Sequence, residues 1–200
     1  MATVSGMAPS RPPARDLPLR YTNGAAILHW LMAAIILVQI GIGFTFSWME
    51  RGPARTDVFL WHKTLGVLIL LLALVRLGWR LTHRPPPYPP ELPDWQRTAA
   101  VASHWAFYIL LFALPLTGLI AVSGRTETGT TPLLFGLNLP VVPGVTKESG
   151  HTFGEIHVVL VLTTLALFVL HVAAALKHQL FDRNRMTGRM PPLPPLPPAA

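Results

Sequence analysis

Hydrophobic residues run along this chain in four long blocks, separated by short stretches where charge, proline and glycine concentrate. The run from Tyr21 to Met49 carries no formal charge, and the strongest span there is about 25–48. The second block, about 58–80, has an uncharged centre from Thr64 to Val75, with Lys63 and Arg76 towards its rims. The third lies between Arg97 and Arg125 (about 98–122) and the fourth between Glu155 and Lys177 (about 154–178). A helix needs about 20 mostly apolar residues to cross a hydrocarbon core. Hydrophobic and polar residues do not alternate with period 2, so barrel strands lose to helices. The pattern predicts an all-α membrane protein, a bundle of four transmembrane helices.

Composition agrees. Of the 200 residues 51% are hydrophobic and only 12% charged, against about 25% charged in ordinary soluble domains. The absence of cysteine removes disulfides, thiolate zinc sites, iron–sulfur clusters and covalent c-type haem. A net charge of +7 in a soluble chain would suggest nucleic acid, but here the basic residues line the edges of the apolar blocks. The flanks of the N-terminal segment, the 81–97 connection and the C-terminal tail hold 11 Lys and Arg, and the opposite flanks hold 5. That asymmetry predicts cytoplasmic N- and C-termini. The first span lacks a small-residue cleavage site after a short apolar core, so it reads as an anchor. Residues 1–20 form a Pro/Arg-rich extension and 184–200 a Pro-rich tail, both expected to be disordered around a folded unit of 21–183. The connection RPPPYPPELPD at 84–94 reads as a stiff spacer, and 125–150 as a short lid. Trp30, Trp48, Trp61, Trp79 and Trp105 fall near span ends and read as interfacial anchors.

The chemistry lies in histidines at membrane depth, where an ionisable side chain is costly unless it has a task or a partner. A lone one is ordinarily hydrogen-bonded to a neighbouring helix, but here they recur at matched depths. His157 and His171 both belong to the fourth span, separated by about four helical turns. They therefore face within about 40° of each other, about 21 Å apart along the axis. His29, a few residues into the first span, matches the depth of His171. His62, at the outer end of the second, matches His157. Two histidine pairs at two depths are what two bis-histidine haems stacked across a four-helix bundle require.

The step from His157 to His171, applied to the second span, takes His62 to Arg76. That is a cation at the depth of the cytoplasmic pair, suited to a haem propionate, with Arg80 one turn further out. The step also takes His29 to Gly43 and His104 to Gly118, both at the outer depth, where small residues allow close approach. Positive-inside topology and plain helix packing would also place such arginines and glycines. His104 opens the third span and rivals His29 as a ligand. His178, seven residues after His171, shares its face at the rim and is suited to hydrogen bonding or proton exchange with a quinone. Pro115 should kink the third helix. Zinc asks for about four converging ligands, usually with Cys or carboxylate among them. A proton-relay transporter usually adds Asp or Glu, and the spans have none at their centres. A haem-free transporter is thus a remote alternative.

These residues carry a resemblance. The stretches ILHW at 27–30, WHKTLGVLILLLALVRLGWRL at 61–81, HWAFYILLFALPLTGLI at 104–120 and HVVLVLTTLALFVLHVAAALKHQL at 157–180 resemble the prokaryotic cytochrome b561 family. These are four-helix di-haem b membrane cytochromes related to the cytochrome b subunits of nickel–iron hydrogenases. The resemblance covers about 20–183 and leaves out the Pro-rich extensions. It implies two haem b, with His29 and His171 as axial ligands on the cytoplasmic side and His62 and His157 on the outer side. It also implies residence in the bacterial inner membrane and electron transfer between a donor at the periplasmic face and the quinone pool. Some members look like superoxide:ubiquinone oxidoreductases. Lys63, Arg125 and Lys147 would draw a small anion to the outer face, but Glu50, Asp57, Glu127, Glu148 and Glu155 offset them. The alternative role is that of a membrane-anchor cytochrome b subunit for a larger periplasmic redox complex, docked through the 125–150 loop.

Overall fold

The computed structural model describes residues 20–90, 92–182 and 189–190. The extension expected over 1–20 lies outside the described residues apart from Arg20. So does the tail over 184–200 apart from Arg189 and Met190, and with them Arg11, Arg15, Arg183 and Arg185 from the charge count.

Four helices form the body: α1 Asn23–Trp48, α2 Pro53–Thr82, α3 Asp94–Ser123 and α4 Lys147–Lys177, the last continuing as a π turn over His178–Asp182. All four are long and apolar enough to cross a membrane. Helices α2, α3 and α4 start before their apolar blocks because polar residues at the ends still favour helix. Thr22 caps α1 by accepting from the Ala25 amide at 3.3 Å, and Thr146 caps α4 by accepting from Ser149 at 3.1 Å. Pro53 starts α2, where a missing N–H costs nothing. Helix α3 runs through Pro115 as one element.

Successive helices run antiparallel, joined by short connections after α1 and α2 and by a long loop between α3 and α4. The starts of α1 and α3 meet the ends of α2 and α4 at one end of the bundle, called here the proximal end. The other, the hairpin end, carries two short antiparallel strands, β1 Thr130–Pro132 and β2 Asn138–Pro140, joined by a single 3-10 turn over Leu134–Gly136. The main packing runs between α1 and α2, between α3 and α4, and between α2 and α3. Helices α3 and α4 pinch at the hairpin end, where a Cβ on Gly124 would stand 2.8 Å from the Gly150 Cα. Only glycine on both sides permits that crossing.

The distribution of side chains is that of a membrane bundle. The buried residues are few and mostly modest in size, among them Ala26, Met32, Ile69, Ala73 and Ala121. Large apolar residues point outward instead, with Leu71 54% and Leu170 66% exposed. In hydrocarbon such a surface costs nothing, and helices associate by packing rather than by burial from water. Trp30, Trp48, Trp61 and Trp105 are exposed. Trp79 instead packs on Gly24, stacks on His83 at 4.2 Å and donates to Thr22 Oγ1 at 3.2 Å.

The Pro-rich spacer contains no helix or strand from 84 to 89. Within the stretch read as the tail, the described Arg189 is 6% exposed. Its guanidinium lies over the rings of Tyr88 and Tyr21 and donates to the Pro86 carbonyl, while its own carbonyl accepts from the Tyr21 amide at 2.9 Å. Cation–π contact and hydrogen bonding thus tie this residue to the spacer.

Candidate functional site

The helices bring the membrane histidines together in two groups, one towards each end of the bundle. At the hairpin end His62 from α2 faces His157 from α4, ring centroids 6.2 Å apart with planes at 79°. At the proximal end His29 from α1 faces His171 from α4, centroids 6.3 Å apart at 62°. A direct N–H···N hydrogen bond would put two imidazole centroids about 5 Å apart. With a metal–nitrogen bond of about 2 Å, two imidazoles in trans on one metal have centroids about 6 Å apart. Both separations fit an axial pair, and the plane angle is free because each ring can rotate about the axis. Among the described residues no three His, Cys, Asp or Glu side chains are arranged around a bare metal ion.

At the hairpin end the backbone sets His157, whereas the buried Nδ1 of His62 has no hydrogen-bond partner. The Nδ1 of His157 lies 2.9 Å from the Leu114 carbonyl and 3.2 Å from Thr117 Oγ1. A carbonyl only accepts, so the proton sits on Nδ1 and the Nε2 lone pair is left for a metal, the arrangement typical of ligating histidines. Gly118 and Gly43, expected at porphyrin depth, meet the imidazoles themselves. A Cβ on Gly118 would come within 3.3 Å of His157 Cε1, and one on Gly43 within 3.3 Å of His62 Cε1. Phe46 meets the His62 ring edgewise at 5.1 Å, and Phe59 lies nearly parallel to it at 6.4 Å. Gln39 donates to the His62 carbonyl at 2.8 Å, fixing α1 against α2 at that level.

The proximal group has more members. His104 from α3 lies 6.0 Å from His171, centroid to centroid, as close as His29, and its buried Nδ1 has no hydrogen-bond partner. Phe107 packs edgewise on His171 at 5.4 Å. Arg76 Nη2 lies 3.3 Å from His29 Nδ1, and Nη1 lies 3.5 Å from the Ala25 carbonyl. Guanidinium only donates, so His29 Nδ1 is here the acceptor and the neutral ring carries its proton on Nε2. The arginine that spacing placed on this stripe is therefore against the expected ligand itself. Arg80, one turn out, lies over Trp105 and Tyr108, 5.7 Å from each ring.

His178 stands apart from both groups. Its Nδ1 pairs with Asp182 Oδ2 at 2.8 Å, and Lys177 reaches the same carboxylate at 2.7 Å. Sequence spacing pointed to neither Gln39 nor Asp182. An uncharged amide inside a span was the available signal for the first. At the hairpin end Lys63 donates to Thr131 Oγ1 at 2.8 Å and lies over the Phe59 ring, so the loop is fastened beside His62.

Comparison with known proteins agrees with this architecture. The chain is 30% identical over 183 residues to cytochrome b561 homolog 2 of Escherichia coli K12, covering 88% of this chain and 93% of that one. It is 27% identical over 170 residues to the probable superoxide oxidase CybB of Yersinia pestis, covering 82% and 92%. With cytochrome b562 of Cereibacter sphaeroides it shares 25% over 179 residues, covering 85% and 94%. Residues 20–192 match the family described as prokaryotic cytochrome b561, a span that takes in all four helices and both histidine groups. This chain belongs to the prokaryotic cytochrome b561 family and is a membrane cytochrome.

Proposed function

We propose that the protein binds two haem b and passes electrons between a donor at the hairpin end and a quinone at the proximal end, across the bacterial inner membrane. The observation that carries this is the pairing of His62 with His157 and His29 with His171 at 6.2 and 6.3 Å, one pair towards each end of the bundle. Haem b, when bound, supplies one-electron redox chemistry in an apolar setting. The protein's part is to hold, orient and shield. Leu114 and Thr117 fix the ring and tautomer of His157, while Phe46 and Phe59 keep water from His62. Arg76 has two uses. Its contact to His29 Nδ1 gives the tautomer opposite to the one that ligation through Nε2 would need, and a guanidinium freed from that contact would suit a haem carboxylate. Arg80 backs it from the next turn.

At the proximal end the His178–Asp182 pair is the group suited to exchange a proton with a quinone. At the hairpin end Lys63 supplies a fixed cation beside His62. With the name of the Yersinia relative, it makes superoxide the donor to test first. Cytoplasmic termini follow from the distribution of Lys and Arg, which puts the hairpin end on the periplasmic side. A haem-replete preparation in proteoliposomes tests the function. Superoxide added outside should reduce the b-type bands, and a ubiquinone analogue should reoxidise them. Bands that no quinone reoxidises would contradict the reading.

A further inference from the structure

The loop between α3 and α4 has a feature that electron transfer does not use. From Thr128 to Thr146 the chain carries no charge, yet this stretch includes three prolines and three glycines and does not form a span. It folds into the β1–β2 hairpin, which buries Thr131 and Leu133 and turns Phe135 and Leu137 outward, 88% and 59% exposed. Phe135 takes a left-handed backbone (φ 61°), uncommon for a bulky residue, with its ring exposed.

The depth of this tip is set by α2. The Leu134 amide donates to Thr64 Oγ1 at 3.0 Å, and Lys63 holds Thr131. Thr64 is the first residue of the uncharged centre of α2. It lies three residues, about 4.5 Å, deeper than Trp61, an exposed aromatic at belt position. The tip therefore lies level with the edge of the hydrocarbon, continuous with the lipid-facing surface of α2. Non-helical backbone at that depth must satisfy its own polar groups. Here Leu133 donates to the Leu137 carbonyl at 2.8 Å, Leu137 to the Leu134 carbonyl at 3.3 Å, and Leu134 to Thr64. A soluble partner would meet no charge from 128 to 146 to select it, whereas an uncharged turn with an outward aromatic suits the bilayer interface.

We propose that the 130–140 hairpin dips into the bilayer at its own end of the bundle, with Phe135 and Leu137 in contact with lipid. This rests on the four helices spanning the membrane and not on the direction of electron flow. The absence of cysteine makes the test clean. Phe135→Cys, Leu137→Cys, Glu127→Cys (aqueous reference) and Leu71→Cys (mid-span reference) are each spin-labelled in the full chain, in phosphatidylethanolamine/phosphatidylglycerol vesicles. Collision rates with dissolved oxygen and with a water-soluble nickel chelate are then compared. The oxygen-to-chelate ratio at 135 and 137 should exceed that at 127 several-fold and approach that at 71. A ratio like that at 127 overturns the proposal and leaves the face for an aqueous partner. Exclusion of both reagents also overturns it, because protein then covers the tip. Chelate access at 71 overturns the spanning arrangement together with the proposal.

Discussion

The two histidine groups differ in how far the protein alone has prepared them. At the hairpin end the Leu114 carbonyl holds His157 in the tautomer that leaves Nε2 unprotonated, and glycines stand against both rings. At the proximal end His29 is held by Arg76 in the opposite tautomer, and His104 competes with it for the place across from His171. Two sites of nearly equal centroid separation thus differ in preorganisation. Under the proposed function His157 would keep its tautomer on taking a haem, whereas the proximal site would have to release Arg76 from His29. A cation freed there would suit an arriving negative charge, which makes Arg76 the side chain to vary at that site.

The largest effect that sharpens this contrast is loss of a ligand. His157→Ala should lower haem content from about two per chain to about one, with the remaining haem low-spin. Loss of both, or of neither, would break the pairing, and pyridine haemochrome with a reduced-minus-oxidised spectrum decides. His29→Ala and His104→Ala come next. The first should lose the proximal low-spin haem and the second should keep it, as electron paramagnetic resonance can read. The reverse result would move the ligand from α1 to α3.

Arg76→Gln should keep both haems but lower the potential of the proximal one, because a nearby cation stabilises the electron-rich reduced form. The shift should be on the order of 60 mV, about tenfold in the one-electron equilibrium constant. An unchanged redox titration would remove Arg76 from that role. The smallest effect is expected for Thr117→Val, since the Leu114 carbonyl still holds His157. About 1 kcal/mol, one hydrogen bond, should be lost from thermal stability, with haem content intact.

Much of this was legible in the sequence because hydrocarbon imposes simple rules. Charge-free blocks of span length gave four helices, and the step from His157 to His171 within one helix gave two levels. The limits came from the block ends. Reading α3 from residue 98 misses its first turn, because the helix starts at Asp94 and the polar residues DWQRT carry no hydropathy signal. That His104 reaches His171 as closely as His29 does depends on the packing of α3 on α4, which spacing within one helix does not contain. Helix α4 likewise begins at Lys147 rather than 154, because Thr146 and Ser149 form a cap that hydropathy does not register. The hairpin was hidden because its strands, Thr130–Pro132 and Asn138–Pro140, are too short to show alternation. That Arg76 contacts His29 and not merely its stripe needed the packing of α1 on α2, which no spacing within one helix contains.

The proposed function depends on two haem sites, each held by a pair of histidines, one towards each end of the bundle. Protein expressed with excess haem and purified in detergent should be quantified by pyridine haemochrome and titrated potentiometrically. About two b-type haems per chain and two redox components are expected, of which His157→Ala removes one. A single haem in the unsubstituted protein, or none, would contradict the two-site arrangement.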